Sequence, residues 1–142
     1  MDSAQCVFCR IVADPQASSR VWEDGRVLAF MDQRQANPGH VLVVPKAHCA
    51  DIYSLQAADE AALMGAMARV SRSVRDAFEP HGMNIWQSNG VAAGQEIMHL
   101  HFHIHPRWEG DGLGGVYKEK PATPPEDELE AMARLIRQRL GG

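Results

Sequence analysis

Four of the seven histidines fall at every second position of GQEIMHLHFHIHPRW, residues 94–108. They are His99, His101, His103 and His105. Side chains of a strand alternate between its faces. A strand here would line one face with imidazoles and the other with Leu100, Phe102 and Ile104. Three uses of such a row compete. It could be a surface or metal-scavenging tract, but such tracts usually ignore period. Here the period is strictly two and the intervening residues are large and apolar. It could be a catalytic metal site, which usually adds a carboxylate as ligand or base. None lies within the row; Glu96 precedes it and Glu109 follows. The third use is imidazole as nucleophile, which splits one hard displacement into two through a covalent intermediate. In phosphoryl chemistry a protein mostly positions groups and stabilises charge, and a row of imidazoles does both.

The cysteines are the second chemical signal. There are three, Cys6, Cys9 and Cys49. An odd count without a signal-like N-terminus argues against a disulfide framework. Cys6-Val-Phe-Cys9 is a C-x-x-C, for which a metal site, a redox pair and two ordinary thiols compete.

The elements that position these residues must fit into 142 residues, enough for one domain with a real core. A composition of 45% hydrophobic and 23% charged residues argues against disorder. The net charge of −4 offers no basic stripe for nucleic acid, and no apolar run approaches a membrane span. A cytoplasmic protein is expected. A small anionic substrate remains compatible, because local donors and imidazoles hold phosphate on an acidic protein.

Arg26 to Phe30 reads as a strand ending at Asp32, and Asn37-Pro38-Gly39 as a turn. His40 to Val44 reads as a buried central strand ended by Pro45. A long helix is expected from near Ala57 to Phe78, with Leu63, Met67, Val70, Val74 and Phe78 on its core face. Pro80-His81-Gly82 stops it. Met83 to Gln87 is a further strand, followed by a small-residue loop over 88–94. Asp111 to Gly115 reads as loop. Thr123-Pro124-Pro125-Glu126 predicts the start of a C-terminal helix over about 124–140, with Leu129, Met132, Leu135 and Ile136 inward. The expected class is α+β, with a mostly antiparallel sheet and one long helix.

With these elements in order, the chain resembles the histidine triad (HIT) family of nucleotide hydrolases and transferases, whose signature is H-x-H-x-H-x-x. The resemblance runs from Cys6 to about Gly110. It rests on the histidine row together with Val21-Trp22-Glu23-Asp24, Leu28-Ala29-Phe30-Met31-Asp32, Pro38-Gly39-His40-Val41-Leu42-Val43-Val44-Pro45-Lys46, Ala93-Gly94-Gln95 and Pro106-Arg107. It implies a HIT-like fold, an antiparallel sheet of about five strands with a long and a C-terminal helix, as a single domain over 1–142. Family members carry Gly-Gln four residues before the first triad histidine, counted from the glutamine. Gln95 therefore sets the triad as His99, His101 and His103. His105 departs from the pattern, where a hydrophobic residue is usual, and a solvated edge position is expected for it.

The resemblance implies that His101 attacks the α-phosphorus of a nucleoside 5′-phosphate derivative and forms a nucleotidyl-histidine. Water then releases the nucleoside monophosphate. It implies that His103 touches the phosphate or bridging oxygen and that His40 packs near His101. Asp32 matches the residue that holds the ribose. Val7, Phe8, Ile11 and Phe30 match base-pocket positions, although apolar residues so spaced are also ordinary core. Ser88 falls where relatives often carry a phosphate-facing amide, a contact that Asn89 could supply. Gly94, Gln95, Glu96 and Ile97 match the loop that brings backbone amides to phosphate. A zinc-bearing bacterial-type branch carries ligands at positions matching Cys6, Cys9, His48 and His99. A closed Cys2His2 set of that kind is structural. Cys49, beside His48, is a rival ligand. A homodimer is also implied, supported by apolar surface at Met64, Met67 and Ala68. Three activities compete within this reading: a dinucleoside polyphosphate hydrolase, favoured by Pro106-Arg107, a nucleoside phosphoramidase, and a zinc-stabilised nucleotide-binding adaptor.

Overall fold

The computed structural model describes residues 3–116, 119 and 121–140. They fall into two compact units that part between Asp111 and Gly112. The expectation of one domain over 1–142 also takes in residues outside the described set.

The first unit is α+β. A short helix α1 (Val7–Ala13) precedes strands β1 (Arg20–Glu23), β2 (Val27–Met31) and β3 (Val41–Pro45). The long helix α2 (Ala57–Phe78) leads to β4 (Gly82–Trp86) and β5 (Phe102–Arg107). The five strands form one antiparallel sheet in the order β1-β2-β3-β5-β4.

The sheet is buried on both faces at its centre, which is why β2 and β3 read as unbroken apolar runs. On one face Val27, Ala29, Val41, Val43, Leu100 and Ile104 meet the α2 stripe of Leu63, Ala66, Met67, Val70 and Val74. On the other, Leu28, Phe30, Leu42 and Val44 meet Cys6 and Phe8. Each Val, Leu, Ile, Phe or Met among them contributes roughly 1.5–3 kcal/mol when fully buried. Phe78, expected on the core stripe, is 40% exposed and instead closes over the turn before β3. A Cβ on Gly39 would meet its ring at 2.8 Å, and the φ of +97° there independently favours glycine.

The histidine segment is strand only from Phe102, so His99 lies in a bend and His101 in the irregular chain ahead of it. The alternation nevertheless holds: Leu100 and Ile104 are buried under α2 with Phe102 packed beside them. Pro106 fits in β5 because it lies beyond the last β3 pair, Val41 with Ile104, where no ladder N–H is required. The sequence reading passed over α1 and β1 as elements.

The second unit contains α3 (Glu126–Arg139). Its start is later than expected. Pro125 occupies the N-cap and Thr123 makes no cap, because Pro124, the expected first helical residue, itself precedes a proline and is driven out of the helical region. Leu129, Met132, Leu135 and Ile136 are exposed rather than inward, and no residue of α3 is buried. Among the described residues of this unit α3 has no second helix or strand to bury them against.

Candidate active site and metal centre

The imidazole face of the 99–105 segment lies on the α1 side of the sheet. His99 and His101 flank Phe8, with ring centroids 5.8 and 5.1 Å from it. His101 Nδ1 lies 2.7 Å from the His99 carbonyl oxygen. A carbonyl only accepts, so Nδ1 carries the proton and the neutral ring keeps its lone pair on Nε2. The ring of His103 is 5.1 Å away.

The same logic assigns the next two rings. His40 Nδ1 donates to the Arg34 carbonyl at 3.2 Å, which leaves a lone pair on its Nε2. That nitrogen is 2.9 Å from His103 Nδ1, which must donate to it. Asp32 Oδ2 lies 3.6 Å from His40 Nε2. Asp32 Oδ1 accepts from the Arg34 amide at 2.8 Å, so this carboxylate also shapes the turn. Gln35 locks the turn further, accepting from the amides of Gly39 and His40 and donating to the Asp32 and His40 carbonyls. Burial, reinforced by neighbouring His101 and His40, lowers the His103 pKa to about 4. Burial lowers that of His40 too, against the pull of Asp32.

Trp86 is a site residue that the sequence reading missed. Its ring stacks on His103 at 4.3 Å, with planes 4° apart. The signal lay in strand register, Trp86 opposite His103, which a single strand does not disclose. His105 is not at a solvated edge. It is 7% exposed, its ring 4.7 Å from that of His40, with no hydrogen-bond partner at Nε2. The rings of His40 and Trp86 pack against it, Trp86 brought there by the β4–β5 pairing.

Of the expected apolar pocket, Phe8 and Phe30 are core and Ile11 packs against the same cluster, while Val7 is not among them; Ile97, expected in the phosphate loop, packs there too. The loop over 88–97 is internally tied. The amides of Gly94 and Gln95 donate to the carbonyls of Val91 and Gly90. The Gln95 side chain bonds the Gly90 amide and the carbonyls of Ala50 and Ile97. The Asn89 side chain engages Gln87 and the Ile52 amide, while the Ser88 carbonyl accepts from Gln87. Glu96 pairs with Arg34 at 3.4 Å, linking this loop to the Asp32–His40 turn.

Cys6, Cys9, His48 and His99 converge, with their ligand atoms within 4.8 Å of one another. His99 Nε2 donates to the Pro45 carbonyl at 2.8 Å, so its lone pair is on Nδ1. That nitrogen faces Cys6 Sγ at 3.4 Å, Cys9 Sγ at 3.5 Å and His48 Nδ1 at 3.2 Å. A tetrahedron with zinc bonds of roughly 2.0–2.3 Å has edges of about 3.3–3.8 Å, so the donor set fits the ion. Burial and the adjacent Cys6 raise the Cys9 pKa to about 11. A thiol so placed ionises readily only beside a cation. Cys49 lies outside this group and packs against the α2 core.

Fold and site together define an α+β domain in which a histidine row joins a Cys2His2 set to a chain of imidazoles. The chain belongs to the HIT domain family, whose model matches residues 14–110. A crystal structure of a HIT family member from Bacillus subtilis is 38% identical over 97% of this chain and 99% of that one, with a TM-score of 0.89. A zinc-bound histidine triad family protein from Mycobacterium smegmatis is 31% identical over 97% of this chain and 100% of that one, with a TM-score of 0.72. Adenosine 5′-monophosphoramidase hnt1 of Schizosaccharomyces pombe is 31% identical, covering 95% of this chain and 98% of its own.

Proposed function

We propose that the protein is a nucleotidyl hydrolase or transferase acting on nucleoside 5′-phosphate derivatives, with His101 as nucleophile. The observation that carries this reading is the bond from His101 Nδ1 to the His99 carbonyl, which leaves Nε2 as the attacking lone pair. Attack on the α-phosphorus breaks the bond to the leaving group and forms a nucleotidyl-histidine; water then attacks the same phosphorus, breaks the phosphorus–nitrogen bond and frees the monophosphate and His101. An incoming phosphate favours protonation of the buried His103, whose neighbour His40 and the carboxylate of Asp32 stand behind it. Asp32 also suits the two ribose hydroxyls as an acceptor. Phe8, Phe30, Ile11 and Ile97 form the apolar wall for a base.

Dinucleoside polyphosphates, with diadenosine tetraphosphate as the test case, are the preferred substrate class, on the strength of Pro106-Arg107. The S. pombe relative's name supports a second reading, cleavage of a phosphorus–nitrogen bond in a nucleoside phosphoramidate. Turnover of diadenosine tetraphosphate measured beside an adenosine phosphoramidate separates them. Faster hydrolysis of the first is expected, faster cleavage of the second establishes the alternative, and turnover of neither removes the enzyme reading in favour of a binding protein.

Zinc is the resident metal of this reading, held by Cys6, Cys9, His48 and His99. Its role is to tie α1 and the 46–48 turn to the base of the histidine row, and no chemical step passes through it.

A homodimer completes the reading. The β4 edge carries Ile85 and Trp86 at 48% and 40% exposure, and Met64 on α2 is 65% exposed. Beside Met64 runs an apolar groove of about 260 Å³. Met67, read from the sequence both on the core face of α2 and on this surface, is part of the buried stripe. Light scattering should give twice 15.7 kDa. A monomer at micromolar concentration would contradict the assignment. No helix among the described residues is long and apolar enough to cross a membrane, and no bilayer or nucleic acid partner is proposed.

A further inference from the structure

The histidine row contains no carboxylate, which in the sequence argued against a metal among its members. The fold supplies one from elsewhere. Asp32, at the end of β2, meets His40 from the turn before β3 and His103 from β5, and their ligand atoms lie within 4.8 Å of one another. The Arg34 carbonyl fixes the proton of His40 on Nδ1, so a lone pair on Nε2 and a carboxylate oxygen stand 3.6 Å apart. In the resting arrangement the His103 Nδ1 proton meets that lone pair; once it leaves Nδ1, two acceptors so close call for a cation between them. His103 presents Nδ1 to the same point at 2.9 Å from His40 Nε2. It can offer a lone pair there by exchanging its Nδ1 proton for one on Nε2 through solvent, with no net change of charge. Two imidazoles and one carboxylate with a fourth position open are a recognised zinc donor set. Occupied, they would be drawn away from ribose and phosphate.

From this juxtaposition we propose that Asp32, His40 and His103 form a second divalent-cation site of zinc type, separate from the Cys2His2 set, whose occupation excludes nucleotide from the active site. The metal site stands on its own geometry; only the exclusion of nucleotide rests on the proposed function.

The test uses full-length protein already holding its first zinc. Calorimetric titration with zinc, and metal analysis after gel filtration in micromolar zinc, should find about two ions per chain in the wild type. Asp32→Asn and His103→Asn, checked for folding by thermal melting, should each retain about one. His101→Ala should still bind both. In the wild type, long-range proton–nitrogen spectra should show His40 Nε2 and His103 Nδ1 shifting with the second equivalent, a readout that needs no variant. Turnover should fall reversibly as that equivalent binds and recover when a weak chelator removes it. A second zinc that survives Asp32→Asn, or that leaves both imidazole nitrogens unmoved, overturns the site. Binding of only one zinc by the wild type does the same. A second zinc bound as proposed in a protein that turns over no nucleotide would uphold the site and refute the proposed activity instead.

Discussion

His101→Ala is expected to lower turnover by roughly 10³-fold or more while nucleotide still binds, because the lost atom is the nucleophile and the ribose and base contacts lie on other residues. The order of damage along the row is the informative part. If His99, His101 and His103 are the triad, His101→Ala is worst. His103→Ala follows, because it removes the ring that Trp86 stacks upon and His40 accepts from. His105→Ala is mildest, since that ring packs against His40 and Trp86 without bonding either. His101→Gly offers space that added imidazole can fill, with partial recovery of rate. The shifted register, in which His103 attacks and His105 is essential, instead makes His103→Ala worst and His105→Ala severe. It also fits the geometry poorly, because His103 spends its Nδ1 on another histidine rather than on a carbonyl, and burial holds its pKa at about 4.

The second large effect is on stability. Cys6 is fully buried, caps α1 through its sulfur and faces His99. Wild-type protein should contain about one tightly held zinc per chain. Cys6→Ser should lose it and melt lower by on the order of 10 °C, because a bound structural metal contributes directly to folding free energy. Chelation should lower the melting temperature of the wild type by a similar amount and leave Cys6→Ser unmoved. Cys49→Ser should keep its zinc, as Cys49 stands outside the donor set. Activity per folded molecule should fall less than stability. Zinc-free wild type of unchanged melting temperature would refute the metal assignment.

Much of this was legible in the sequence, for identifiable reasons. The α2 bounds, Ala57 to Phe78, follow from an apolar stripe of unbroken period and a proline stop. The runs VLAF and VLVV announce strands buried on two faces. The Cys2His2 group assembles as the residue spacing within a known pattern implied. What escaped depended on long-range register or on partners. Trp86 enters the site only because β4 pairs with β5, and His105 is buried for the same reason. Helix α1 is short, and its cap is a cysteine sulfur, not one of the usual oxygen caps. The apolar face of α3 has the right period for burial, yet period does not say against what. The carboxylate that the row lacks comes from Asp32, dozens of residues upstream.

The central claim is a covalent bond between His101 and a nucleotide. Mass spectrometry of protein quenched during turnover in alkali, where phosphorus–nitrogen bonds to histidine survive, tests it most directly. The account predicts an acid-sensitive mass increase of one nucleoside monophosphate, located by fragmentation on His101 and absent from His101→Ala. The same adduct on His103, or turnover with no adduct on any histidine under trapping conditions, would contradict it.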